Sequence, residues 1–208
     1  MSICWVTSWI KQLVLHHWSI LKKQNIHKFL KEQFLTTWIL IIVGVYLTRN
    51  TISPIYSSIS IICLFFYSYF AHRIIHLLPE NINPHLIHHN NKQMSRVMNL
   101  TIEMLTNTLM FFILYIFQKI INITILPNML ILYYGIIYTS IHIINYSIFG
   151  NNHHKKHHES INKTQHYNYG PDTIDHIFET NFDDSWENFV HMLPNILISY
   201  IICSYIPN

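Results

Sequence analysis

The residues with the clearest chemical potential are histidines. His72 and His76 are separated by four positions, and His85, His88 and His89 follow within the next thirteen. About 65 residues further on, His154, His157 and His158 repeat the spacing of the second group. Residues at i, i+3 and i+4 share one face of a helix, so each group can aim its rings at one point. Neutral imidazole is a ligand for iron, zinc, copper and nickel. His142 lies inside an apolar run, where an ionisable residue is costly and usually functional. Asn145, three residues on, can reach the same site directly or through water. Nine histidines exceed what one ion needs, so two metals are implied.

The pattern also excludes chemistry. There is no HExxH, so a zinc protease of that type is not matched, and no Glu-x-x-His pair, so a carboxylate-bridged bundle is not indicated. Glu103 is an acid within an apolar stretch and falls outside the histidine clusters. His16, His17, His27, His166, His176 and His191 lack cluster spacing and are read as ordinary surface or core histidines. Cys4, Cys63 and Cys203 lie far apart and form no CxxC pair, which argues against a disulfide scaffold or zinc ribbon. A formal charge of +3, thinly spread, does not suggest nucleic acid.

The elements that must position these residues are apolar helices. Half of the 208 residues are hydrophobic and 11% are charged, against about a quarter in soluble domains. Residues 1–33 mix Trp5, Trp9 and Trp18 with lysines, which suits either an interfacial amphipathic helix or one packed on the domain. Nothing there reads as a cleavable signal peptide. Residues 34–208 form the second unit. Uncharged runs at 34–48 and 51–71, broken by Arg49-Asn50 and Ser53-Pro54, predict a hairpin whose first arm is short for a span of about 20 residues. Runs near 104–118 and 125–149 predict a second hairpin, and 189–206 reads as a re-entrant or interfacial helix. Asn83-Pro84 reads as an N-cap followed by proline at the first helical position.

The fold class is therefore all-α: an integral membrane protein with about four transmembrane helices in two hairpins and a histidine-rich helical cap. A soluble all-α bundle with an unusually apolar core is the alternative. Arg73, Lys92, Arg96, Lys155, Lys156 and Lys163 flank the clusters, while Arg49 and Lys119 alone fall in the far turns. The positive-inside rule then puts the N-terminus and both clusters in the cytosol.

HxxxH, HxxHH and a final HxxHH behind two hairpins resemble the fatty acid hydroxylase/sterol desaturase superfamily. Asn168-Tyr169-Gly170, Asp175 and Phe178-Glu179-Thr180 continue the likeness, which covers roughly residues 60–182. Glu179 stands where that family usually has Gly, and Ile174 where it usually has Trp. The resemblance implies a membrane di-iron oxygenase of the endoplasmic reticulum that uses O2 to hydroxylate or desaturate a fatty acyl or sterol C–H bond in lipid biosynthesis. The implied ligands are His72, His76, His85, His88, His89, His142, His154, His157 and His158, with Asn145 a candidate tenth. Two iron ions are implied, with zinc able to replace them in recombinant protein. The electrons would come from NAD(P)H through a separate cytochrome b5/reductase-type donor. Asp175 is read either as a carboxylate that holds a ligand imidazole through its second nitrogen or as a helix N-cap. The competing reading is a catalytically degenerate or non-enzymatic membrane protein that binds or transports metal.

Overall fold

A computed structural model describes residues 30–206 apart from 91–92, 160–167 and 184. The amphipathic segment expected before residue 30 lies outside these residues, as do His16, His17, His27 and His166. Among the described residues every regular element is helical. A π-helical turn, Leu30–Phe34, leads into α1 (Leu35–Thr48). Then come α2 (Pro54–Leu77), α3 (Pro84–Asn90), α4 (Arg96–Ile120) and α5 (Asn128–Ser140), which continues as a π-helix over Ile141–Ile148. The short α6 (Asn152–Glu159) and α7 (Asp172–Ile177) precede α8 (Leu193–Ser204).

Local chemistry sets the helix starts. Ser53 accepts from the Tyr56 N–H ahead of Pro54, and Ser95 accepts from Met98. Asn83 caps α3 by accepting from the His85 and Leu86 N–H groups, at 3.1 and 3.4 Å, as Asn83-Pro84 predicts. Asn151 does the same for α6, accepting from His153 at 2.8 Å and His154 at 3.3 Å. Each HxxHH group thus rides on a short helix started by an asparagine, whose side chain satisfies otherwise orphaned donors.

The long helices pair as two antiparallel hairpins, α1–α2 and α4–α5, with α2 also against α5 and with α8 packed on α1 and α5. Leu40, Ile61, Leu64, Leu130 and Ile137 form the shared core. Gly44 and Gly135 let the helices approach closely: a Cβ on Gly135 would sit 3.1 Å from Phe111. The hairpin turns meet at one end, where the Tyr56 hydroxyl donates to the Ile125 carbonyl at 2.7 Å. The histidine elements gather at the other. The outer face of α4, with Leu105, Leu109, Phe112 and Phe117, is exposed, as a lipid-facing helix requires.

Among the described residues three helices are long and apolar enough to cross a membrane, Pro54–Leu77, Arg96–Ile120 and the continuous Asn128–Ile148. The first arm is the shorter one, as the sequence predicts. Helix α1 has 14 residues, a rise of ~21 Å against a hydrocarbon core of about 30 Å. The cause is local: Lys31 and Glu32 precede the apolar run and Arg49 closes it.

Candidate metal centre

Four elements deliver the histidines. His72 and His76 occupy the last two turns of α2, His142 lies in the π-helical extension of α5, and the HxxHH groups come from α3 and α6. The π-helix is itself notable, since that geometry is rare and recurs at functional sites. Donor atoms of His72, His76, His85, His89 and His157 all lie within 4.8 Å of one another. The Nε2–Nε2 separations are 3.0 Å for His72–His85, 3.2 Å for His72–His76, and 3.1 Å for both His76–His85 and His85–His89. Two nitrogens about 2.1 Å from one ion, at ligand angles of 90–110°, stand about 3.0–3.4 Å apart. The spacing therefore suits a shared metal.

Backbone and amide acceptors orient the rings. His72 Nδ1 donates to the Tyr169 carbonyl at 2.8 Å and His142 Nδ1 to the Tyr138 carbonyl at 2.9 Å, which leaves each Nε2 as the lone-pair atom. His88 Nδ1 donates to Asn99 Oδ1, and its buried Nε2 has no hydrogen-bond partner among the described residues. A buried imidazole nitrogen left this way is what a metal site requires.

A second group adjoins the first. His88, Glu103 and His158 also bring donors within 4.8 Å of one another. His154 Nε2 lies 2.9 Å from His158 Nε2 and 3.2 Å from Glu103 Oε1. The His142 ring is 5.6 Å from that of His154, and the rings of His89 and His158 stack at 4.0 Å, joining the two groups. Burial, then neighbouring imidazoles, holds His85, His89, His154 and His158 below the ordinary histidine range. These rings are neutral at pH 7 and available as ligands.

Asn145 has another role. Its Nδ2 donates to the His191 carbonyl at 2.7 Å, tying the π-helix to the turn before α8. Asp175 touches no imidazole and caps no helix. It accepts from the Tyr169 and Gly170 N–H groups, at 2.9 and 2.6 Å, and from the Thr180 hydroxyl at 2.8 Å. It thereby fixes the loop whose Tyr169 carbonyl holds His72. His176 stacks on Trp186 at 3.8 Å, and His191 Nδ1 donates to the Asn188 carbonyl, so both serve structure.

Sequence reasoning missed Glu103, Asn99 and the carbonyls of Tyr138 and Tyr169. For the carbonyls no side-chain signal exists. For Glu103 the one signal is an acid within an otherwise apolar span.

Two departures in the closing pattern have visible surroundings. Ile174 is buried with Tyr69 and Tyr169 in a small apolar cluster. Glu179 has φ +55°, the left-handed region where glycine carries no Cβ penalty. Glu179→Gly is expected to stabilise the fold by about 1 kcal/mol, seen as a higher midpoint in thermal unfolding. An unchanged or lower midpoint would contradict the strain.

A buried acid pair lies beside the second group. Burial pushes Asp172 up to about 7 and Glu187 up to about 8. Asp172 accepts from Gln33 and from the Glu187 N–H. The folded chain holds a proton on Asp172 that the unfolded chain releases near pH 4, so this group stabilises the fold below that pH. Its contribution is lost as pH rises to about 7. The stability margin of the wild type over Asp172→Asn should therefore shrink from pH 5 to pH 8; a constant margin in unfolding midpoints would refute this.

The chain is thus an apolar helical bundle with helices long enough to cross a membrane and, at one end, a buried and mostly imidazole donor set that could hold metal. A model of the fatty acid hydroxylase family matches residues 57–180, and the chain belongs to that family, within the sterol desaturase/fatty acid hydroxylase superfamily. No curated protein and no solved structure matches it.

Proposed function

We propose that this protein is a membrane-bound dinuclear iron oxidoreductase that uses O2 to hydroxylate or desaturate a C–H bond of a lipid. The observation that carries this reading is the convergence of five histidine donors within 4.8 Å, with His88, His154 and His158 beside them and the His142 ring 5.6 Å from that of His154, at one end of an apolar bundle. His72, His76, His85, His89 and His157 would hold one ion. His88, His142, His154 and His158 would hold the other. Iron supplies the one-electron and O2 chemistry that side chains cannot.

The chain's own contribution is positioning and exclusion of water. Tyr138, Tyr169 and Asn99 fix three imidazoles in the tautomer that presents Nε2. Burial keeps His85, His89, His154 and His158 neutral, so proton competition for them is weak near pH 7. A groove of about 1050 Å³ between α4 and α5 is lined by Phe111, Phe112, Leu132, Ile136 and Ile144. It also includes Met104 and Ile143, neighbours in sequence of Glu103 and His142. An acyl chain lying there would bring a methylene towards the histidine end from the bilayer side. Ion transport would instead need ligands along the depth of the spans, whereas these sit together at one end.

In this reading the clusters face the cytosol, the membrane is that of the endoplasmic reticulum, and the two electrons arrive from NAD(P)H through a separate cytochrome b5/reductase-type donor. The test is turnover of full-length, iron-loaded protein with lipids, reductant and ¹⁸O2. Reductant-dependent formation of an ¹⁸O-labelled alcohol, or of a new double bond, supports the proposal. Oxygen-independent ion flux without lipid oxidation would overturn it.

A further inference from the structure

Glu103 carries an inference that goes beyond the histidines and rests on the dinuclear reading above. It sits eight residues into α4, a helix of membrane-spanning length, and is 1% exposed. One carboxylate oxygen accepts from the Ser147 hydroxyl. The other, Oε1, is buried and accepts no hydrogen bond from any described residue. That oxygen nevertheless lies 3.2 Å from His154 Nε2 and within 4.8 Å of the donor atoms of His88 and His158. His88 Nε2 is likewise buried without a hydrogen-bond partner among the described residues. A buried carboxylate oxygen without a hydrogen bond among the described residues, gathered with three imidazole nitrogens at this spacing, makes a donor set that a cation would satisfy.

Charge gives the same answer. Neutral imidazoles bring no negative charge, so two divalent ions would place a net charge of about +4 at the edge of the hydrocarbon region, where isolated charge is strongly disfavoured. A carboxylate alone at that depth is equally disfavoured. Placed together, the carboxylate lowers the net charge of the centre and the ions neutralise the carboxylate. We infer that Glu103 is a direct carboxylate ligand of the ion held by His88, His154 and His158, so that the centre is mixed imidazole–carboxylate rather than all-nitrogen.

The test uses full-length protein in detergent, loaded with ferrous iron, beside Glu103→Gln. Gln keeps the shape and an acceptor for Ser147 but not the charge. The expected result is at least a tenfold loss of affinity for the second equivalent of iron in chelator competition. The metal-free variant should unfold no lower than metal-free wild type, because a buried carboxylate has been removed. The rise in unfolding temperature on loading should be smaller in the variant. Should the variant not fold, the wild type still decides: with ¹³C-labelled glutamate, iron loading should shift a carboxylate infrared band. Two tightly bound ions in both proteins, or no glutamate band shift on loading, overturns the Glu103 assignment and leaves the dinuclear reading standing. Failure of the wild type itself to take up two ions overturns both.

Discussion

His157→Ala is expected to empty the first metal position and abolish turnover while the helical bundle remains inserted. His157 is 1% exposed, and its ring centroid lies 4.8–4.9 Å from those of His72, His76 and His89. It is the residue that α6 contributes to the five-histidine group. The loss of affinity should exceed the about 10–100-fold that follows removal of an outer partner of a ligand. Metal per chain and product formation are the readouts, with helix content as the control. His191→Asn, which lies at the rim and in neither donor group, should retain its metal. Undiminished metal and turnover in His157→Ala would contradict the assignment.

The second large effect is expected at a residue that touches no ligand. Asp175 receives two backbone N–H groups and the Thr180 hydroxyl. In Asp175→Ala one buried and two partly buried donors lose their acceptor, the buried one at about 1–3 kcal/mol. The Tyr169 carbonyl then loses its fixed direction, and with it the tautomer of His72. The expected outcome is an unfolding midpoint clearly below wild type together with roughly a 10–100-fold drop in metal affinity. Asp175→Asn should fall between the two, because its single oxygen can serve only part of the donor set and its amide NH2 meets another donor. A variant that loses stability yet binds metal within twofold of wild type would show that the loop does not position His72.

These two predictions mark what could be read from the chain and what could not. The ligand clusters were legible because helical spacing is a local property, but spacing did not reveal that each HxxHH group divides, His85, His89 and His157 joining one cluster and His88, His154 and His158 the other. Asn83-Pro84 was legible for the same reason, as was the hairpin whose turn contains Ser53-Pro54. The all-helical class followed from long uncharged runs. The short first arm was legible too, because Lys31, Glu32 and Arg49 bound its apolar run. Long-range partners were out of reach. Glu103 meets His154 across 51 residues, and its position in an apolar run signals a functional acid without naming its target. The placement of Asp175 beneath the Tyr169 loop depends on backbone groups, which every sequence has. The bond from the Asn145 amide nitrogen to the His191 carbonyl, 46 residues away, is likewise a long-range contact that spacing from His142 does not show. Glu179 is the converse case, in which a departure from the family's glycine gained meaning only once its backbone angle was known.

The measurement that tests the central claim most directly is the iron stoichiometry of full-length protein purified in detergent, read with ⁵⁷Fe Mössbauer spectroscopy. The account predicts about two irons per chain in nitrogen- and oxygen-rich surroundings, both reduced by the external donor and both reoxidised by O2. A well-folded protein that binds at most one ion, or two that do not respond to reductant and O2, would contradict it.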